Sequence, residues 1–129
     1  MNLNLERARI LSSFEQRFGP GDRPRFAIAP GRSNLIGEHT DYNNGLVLPV
    51  AIDRHTAVVF RPGKNEKSVT VFAESMDASD TFDVRSIKPL KDPSLHWANY
   101  VRGTARALAN RGIALKGGDL YITSDLPRT

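Results

Sequence analysis

Apolar and polar positions recur along this chain with two different periods, and the switches between them mark its elements. Leu11, Phe14 and Phe18 fall at helical spacing with Ala8 on the same stripe, so the first element reads as an amphipathic helix. Asn2 or Asn4 can cap its start. Gly19-Pro20 stops it, because glycine accepts the left-handed conformation after a helix and proline cannot continue one. Arg25 to Ala29 then alternates, with Phe26 and Ile28 on one face, and Pro30-Gly31 should end that strand. Residues 37–45 hold too many turn formers for a regular element, and Asn43-Asn44-Gly45 is a turn signal. Leu46–Ile52 and Thr56–Phe60 are apolar and β-branched, with Pro49 predicting an edge position or an irregularity.

After a turn at Arg61–Lys67, Ser68–Ala73 alternates as a strand, and Thr81–Val84 is a short candidate beyond the polar turn Asp77–Asp80. The spacing of Ala98, Val101, Ala105 and Leu108 predicts a second helix, with Asp92 as its cap, Pro93 at its first position and Gly112 at its close. Lys116-Gly117-Gly118 is a turn, and Leu120 and Ile122 give Asp119–Ser124 strand alternation. Strands in a run between two helices predict an α+β fold, a mixed and mostly antiparallel sheet with helices packed on it.

Composition changes this picture little. The 129 residues are 40% hydrophobic and 25% charged, ordinary values for one soluble domain with enough chain to bury a core. The formal net charge of +4 comes from basic residues scattered among acidic ones, which argues against a nucleic-acid surface. With no cysteine there is no disulfide framework, thiolate metal site or thiol nucleophile. The N-terminus lacks the apolar core of a signal peptide, and no run approaches the roughly 18 apolar residues of a membrane span, so the expectation is a cytoplasmic protein without a membrane partner.

The chemistry concentrates in Gly37–Tyr42, GEHTDY, where Glu38, His39 and Asp41 occupy three of four successive positions, with Arg32 upstream. Three readings stay open on the residues alone. One is a solvated turn, since Asp, Asn, Gly and Thr collect in loops for backbone reasons. One is a metal site, weakened because His39, His55 and His96 show no paired ligand spacing. The third is recognition of a polyol, in which carboxylates accept hydrogen bonds from neighbouring hydroxyls and imidazole donates or accepts. Arg32 is either a surface arginine or a fixed charge beside a developing anion. Trp97 and Tyr100, on the second helix, either pack on the sheet or wall a flat base ring. No phosphate-loop pattern, dinucleotide fingerprint or G-x-S-x-G elbow occurs.

Ala29–Asp53, APGRSNLIGEHTDYNNGLVLPVAID, closely resembles the galactokinase signature of the GHMP kinase superfamily, P-G-R-x-N-L-I-G-E-H-x-D-Y followed by G-x-x-x-P. WANYVRG, Trp97–Gly103, is similar to the family's helix, and Asp119–Pro127 resembles the strand before its phosphate loop. The resemblance implies the N-terminal part of the GHMP architecture (ribosomal protein S5 domain 2-like), spanning 1–129. It implies ATP- and magnesium-dependent phosphorylation of galactose at the anomeric hydroxyl. Glu38, His39 and Asp41 would bind sugar hydroxyls, Arg32 would serve catalysis at the reacting hydroxyl, and Trp97 would lie near the nucleotide. No metal ligand is assigned. The family's glycine- and serine-rich phosphate loop, its catalytic aspartate and its C-terminal domain have no counterpart before Thr129. The expectation is therefore a truncated chain, inactive alone, with exposed apolar surface and a tendency to self-associate. The alternatives are a non-catalytic galactose-binding or regulatory module, and a kinase for a related sugar such as N-acetylgalactosamine.

Overall fold

In a computed structural model, residues 3–37, 39–63 and 66–127 are described. Helix α1 covers Leu3–Phe18, strands β1 and β2 cover Arg25–Ile36 and Leu48–Pro62, β3 covers Ser68–Ala73, β4 covers Ala78–Asp83, α2 covers Ala98–Asn110, and β5 covers Gly118–Ser124. The five strands form one sheet in the order β1-β2-β5-β3-β4. Every neighbouring pair is antiparallel except β3 and β5, which run parallel. The mixed, mostly antiparallel sheet with packed helices is the α+β arrangement expected from the order of elements.

The helices cover opposite faces of this sheet. Alternation along β2 sends Ala57 and Val59 to one face, where they pack with Tyr121 against Ile10 and Phe14 of α1, flanked by Leu11, Phe18, Phe26 and Phe72. The inward stripe of α1 therefore runs through Ile10 and Phe14, while Ala8, assigned to it from spacing, is exposed. Asn4 lies inside α1, and Asn2 lies outside the described residues. Gly19 ends the helix at φ +76°, its N–H bonded to the Glu15 carbonyl at 2.8 Å. Arg61 completes that end. Its guanidinium is buried, donates to the Gly19 and Phe18 carbonyls, pairs with Asp119 at 2.9 Å, and lies over the Phe14 ring. A cation against the last carbonyls of a helix satisfies acceptors that lack intrahelical donors and complements the helix dipole.

On the other face, Val58, Phe60, Val69, Phe82, Leu120 and Ile122 look toward α2 across an open apolar cleft of about 650 Å³. Helix α2 is tied down at its start rather than along its length. Asp92 caps a short turn at Pro93–Leu95 by accepting from Ser94 N–H, and α2 proper begins only at Ala98. Asn99 grips the backbone of Leu90 at both N–H and C=O, and Arg102 forms a bidentate pair with Asp80 of β4 while donating to the Lys88 carbonyl. Leu108, expected on the inward stripe, is exposed because the far end of α2 stands over the cleft. Gly112 closes the helix at φ +79°.

The fourth strand starts earlier than expected, at Ala78 rather than Thr81, because Ala78, Ser79 and Asp80 of the expected polar turn pair with Ala73, Phe72 and Val71 of β3. Two further boundaries differ, both in the first hairpin. Pro30-Gly31 does not end β1. The strand continues to Ile36, and the break appears instead as a slip in pairing: Pro30 opposes His55 but Gly31 opposes Ile52, so Asp53 and Arg54 bulge from β2. The runs Leu46–Ile52 and Thr56–Phe60 are accordingly halves of one bent strand. Only Thr56–Pro62 of β2 pairs with β5, which leaves Leu48–Ile52 without a ladder on that side and accommodates Pro49, which has no N–H to give. β1 and β2 thus run on together beyond the main sheet as a two-stranded arm.

Candidate functional site

The GEHTDY loop sits at the tip of this arm, and its shape is set by residues that carry no candidate chemistry. Gly37 is buried at φ +90°, a conformation that disfavours side chains, and a Cβ there would meet the Leu46 carbonyl oxygen at 2.6 Å. Thr40 closes the loop: its Oγ1 lies within hydrogen-bonding distance of the Gly37 and Leu46 carbonyls at 3.0 and 2.9 Å, and its carbonyl accepts from Asn43 and Gly45 N–H. A short 3-10 turn, Asp41–Asn43, ends at Asn44 with φ 56°, the left-handed conformation that asparagine tolerates well. Asn43 also donates from its side chain to the His39 carbonyl at 3.1 Å.

Among the side chains assigned to sugar recognition, His39 is the one with a described environment. It is exposed, and its Nδ1 sits 3.0 Å from the Tyr42 hydroxyl, with the rings edge to face. That contact orients the imidazole, and Nε2 has no partner among the described residues and can donate or accept, according to the tautomer. Asp41 opens the 3-10 turn, two residues along from His39. Glu38 and the Asp41 side chain lie outside the described residues. Arg32 is exposed on β1, opposite Ala51, on the same arm and one residue beyond the slip at Pro30/Gly31. Among the described residues it has no ion-pair partner, so its charge is available to a ligand.

Trp97 stands apart from this group. It precedes α2, partly buried, with its Nε1–H enclosed and without an acceptor among the described residues. No hydrogen bond or ring contact among the described residues joins it to the arm. Tyr100, paired with it in the sequence, is largely exposed. The other conspicuous residues of WANYVRG, Asn99 and Arg102, anchor the helix start. Apolar side chains also crowd the arm: Leu35, Ile36, Leu46, Leu48 and Val50 are all exposed, Leu46 to 94%.

Thr40, Tyr42 and His55 escaped the reading of the sequence as site-building residues. For His55 a signal was present, since it shares the inward parity of Ala57, Val59 and Arg61 along β2. Among the described residues no cluster of three or more His, Cys, Asp or Glu could hold a metal ion. No helix among them is long and apolar enough to cross a membrane.

Comparison with known proteins gives these observations a frame. The galactokinase galactose-binding signature matches residues 12–62, which contain β1, the loop and β2. The galactokinase of Chloroflexus aurantiacus is 47% identical over 122 residues, covering 95% of this chain and 30% of the relative. Among solved structures, Lactococcus lactis galactokinase complexed with galactose superposes with a TM-score of 0.81 at 34% identity, over 95% of this chain and 31% of that one. Methanococcus jannaschii mevalonate kinase shares the fold, with a TM-score of 0.64 at 18% identity, over 85% of this chain and 35% of its own. The chain thus spans about 30% of the length of the curated galactokinases it matches. Signature, sequence identity and superposition agree that the chain carries the galactose-binding signature of galactokinases and matches their N-terminal portion.

Proposed function

We propose that this chain, residues 1–129, is the sugar-holding N-terminal portion of an enzyme that transfers a phosphoryl group from ATP to the anomeric hydroxyl of galactose, and that it does not catalyse the transfer alone. The observation that carries this reading is the galactose-binding signature over residues 12–62, folded as a loop whose backbone is fixed by Thr40, Gly37 and Gly45. In this reading Glu38, His39 and Asp41 meet the sugar hydroxyls. With a sugar excluding water from these groups, a sugar that lacks the matching hydroxyl would leave them unpaired and bind more weakly. Arg32, without a protein counter-ion among the described residues, stabilises negative charge at the reacting oxygen.

Phosphoryl transfer needs the nucleotide, its metal and the acceptor positioned together. The residues present do not fit ATP and magnesium. The sequence has no glycine-rich phosphate loop, and the described residues hold no metal cluster. Trp97 could contribute only one side of a nucleotide pocket. The remaining parts belong, in this reading, to a C-terminal portion outside the chain. The cleft beside α2 and the exposed apolar arm are surfaces such a portion would cover. Use of ATP goes with a cytoplasmic setting.

Calorimetry of the chain with galactose tests the sugar half. Galactose should bind, and Asp41→Ala should abolish the heat. Binding of N-acetylgalactosamine in preference to galactose would change the substrate, and absence of any sugar binding would overturn the reading. Galactose-dependent ADP formation by the purified chain would overturn the second clause.

A further inference from the structure

Where β5 ends, the backbone ladder to β2 stops at the pair Thr56–Ser124. One rung further, a side chain takes over. Asp125 Oδ1 accepts from His55 N–H at 2.6 Å, while Asp125 N–H donates to the His55 carbonyl at 3.2 Å. Ser124 Oγ donates to the same carbonyl and accepts from Leu126 N–H. The His55 ring is held from the other side. It is only 6% exposed, and its Nε2 lies 3.0 Å from Glu6 Oε1 of α1. Arg54 approaches the second oxygen of Asp125 at 3.8 Å. The His55 N–H also holds the Asp125 carboxyl below the usual carboxylate range.

His55 is the residue opposite Pro30 at the slip in β1. The next residue, Gly31, is buried, and Leu126 lies where a side chain at position 31 would project. A Cβ on Gly31 would collide with Leu126 Cδ2 and crowd Ile52. Arg32 follows immediately.

We propose that Asp125 and His55 form a positioning latch, which seats Leu126 on Gly31 and so fixes the backbone of Arg32 relative to the chain leaving β5. The latch joins α1, the bulge of β2, the end of β5 and the base of the arm. It accounts for the close approach of Leu126 to Gly31, so that any side chain at position 31 would have to displace the Leu126 methyl and press on Ile52. It also gives the segment after β5 a fixed course past the arginine of the sugar signature. The effect on sugar affinity rests on the function proposed above, whereas the latch itself does not.

Amide NMR of the chain tests it. Asp125→Ala should speed hydrogen exchange at the His55 and Leu126 amides by roughly tenfold, the size of one lost hydrogen bond to a charged acceptor. It should also move the amide resonances of Gly31, Arg32 and Ser33. Asp125→Asn, which keeps the acceptor, should restore both, whereas Asp125→Leu, which keeps the side-chain volume without an acceptor, should not. Galactose affinity should fall about fivefold in Asp125→Ala and recover in Asp125→Asn. Unmoved resonances at residues 31–33 in Asp125→Ala overturn the proposal, and so does an Asn variant no better than the Ala one. A wild-type chain that binds no galactose overturns the sugar reading alone, because the amide shifts still decide the latch.

Discussion

Tyr121 shows how a single group reports on the packed face of the sheet. It is 3% exposed, its ring 5.5 Å from that of Phe72, and its hydroxyl engages Glu74. Burial first, and the carboxylate of Glu74 second, push its phenol up to about 12. A tyrosine in the unfolded chain ionises near ~10. The folded value is the higher one, so this group's contribution is fully present below that pH and is lost as pH rises toward about 12. Titration followed by phenolate absorbance should show a Tyr121 step delayed until the chain unfolds cooperatively in that alkaline window. Tyr121→Phe should remove the lagging step. Tyr121 belongs to a strand that alternation identified, so its burial was legible. The buried arginines were not, since hydropathy assigns arginine to the surface. Arg61 nevertheless shares the inward parity of Ala57 and Val59, and Arg102 lies four residues after Ala98 on the inward side of α2. In both cases periodicity carried a signal that residue type concealed. His39 illustrates the opposite limit, because no pattern foretells that Tyr42 orients its ring.

At the scale of elements, α2 is held by polar grips at one end and by little at the other. Arg102 and Asp80 are both nearly buried, with two hydrogen bonds between them and a third from Arg102 to Lys88. Removing one member of such a pair strands a buried charge, which costs about 3–5 kcal/mol. Arg102→Ala should lower the free energy of unfolding by about that amount in urea melts, and Arg102→Lys should recover little of it, since an ammonium cannot reproduce the planar two-bond fork. Arg102→Met, by contrast, keeps volume but leaves Asp80 unpaired, so it should resemble the alanine variant. The two helices and the strands β3 and β5 were legible from period alone, whereas half of β4 was hidden because Ser79 and Asp80 look like turn residues. The arm was not. Pro30-Gly31 looks like a stop in sequence, and only the opposite strand shows that its irregularity is absorbed as a bulge of Asp53 and Arg54. Strand length here depends on pairing across the loop, from Gly31 with Ile52 to Ile36 with Leu48, which a local window does not see.

For the whole molecule, the decisive asymmetry is between the two faces of the sheet. The α1 face closes over a packed core, while the α2 face holds a cleft of about 650 Å³. Ala105 lines it. In the chain alone, Ala105→Leu should fill part of the space and raise stability by about 1 kcal/mol, measurable as a melting point a few degrees higher. In a protein whose further portion already occupies the cleft, the same leucine should overpack and destabilise. Opposite signs in the two contexts would locate the missing contact, and equal signs would show that the cleft stays open. The sugar-binding signature could be recognised in the sequence and exposed apolar surface was expected from it, but not that the cleft would lie on the α2 face, because that depends on how far α2 stands from the sheet.

The position of β5 has a consequence for how the molecule is made. β5, which follows its four sheet partners in sequence, inserts between β2 and β3, at the centre of the sheet. A ribosome must therefore release residue 124 before any five-stranded sheet can exist, and until then both inner neighbours present open edges. Closure relies on pairings such as Thr56 with Ser124, across 68 residues. Non-local closure of this kind slows folding and prolongs the exposure of strands able to pair with other nascent chains. The same central strand that holds the fold together makes synthesis of this chain the interval in which it is most exposed to aggregation.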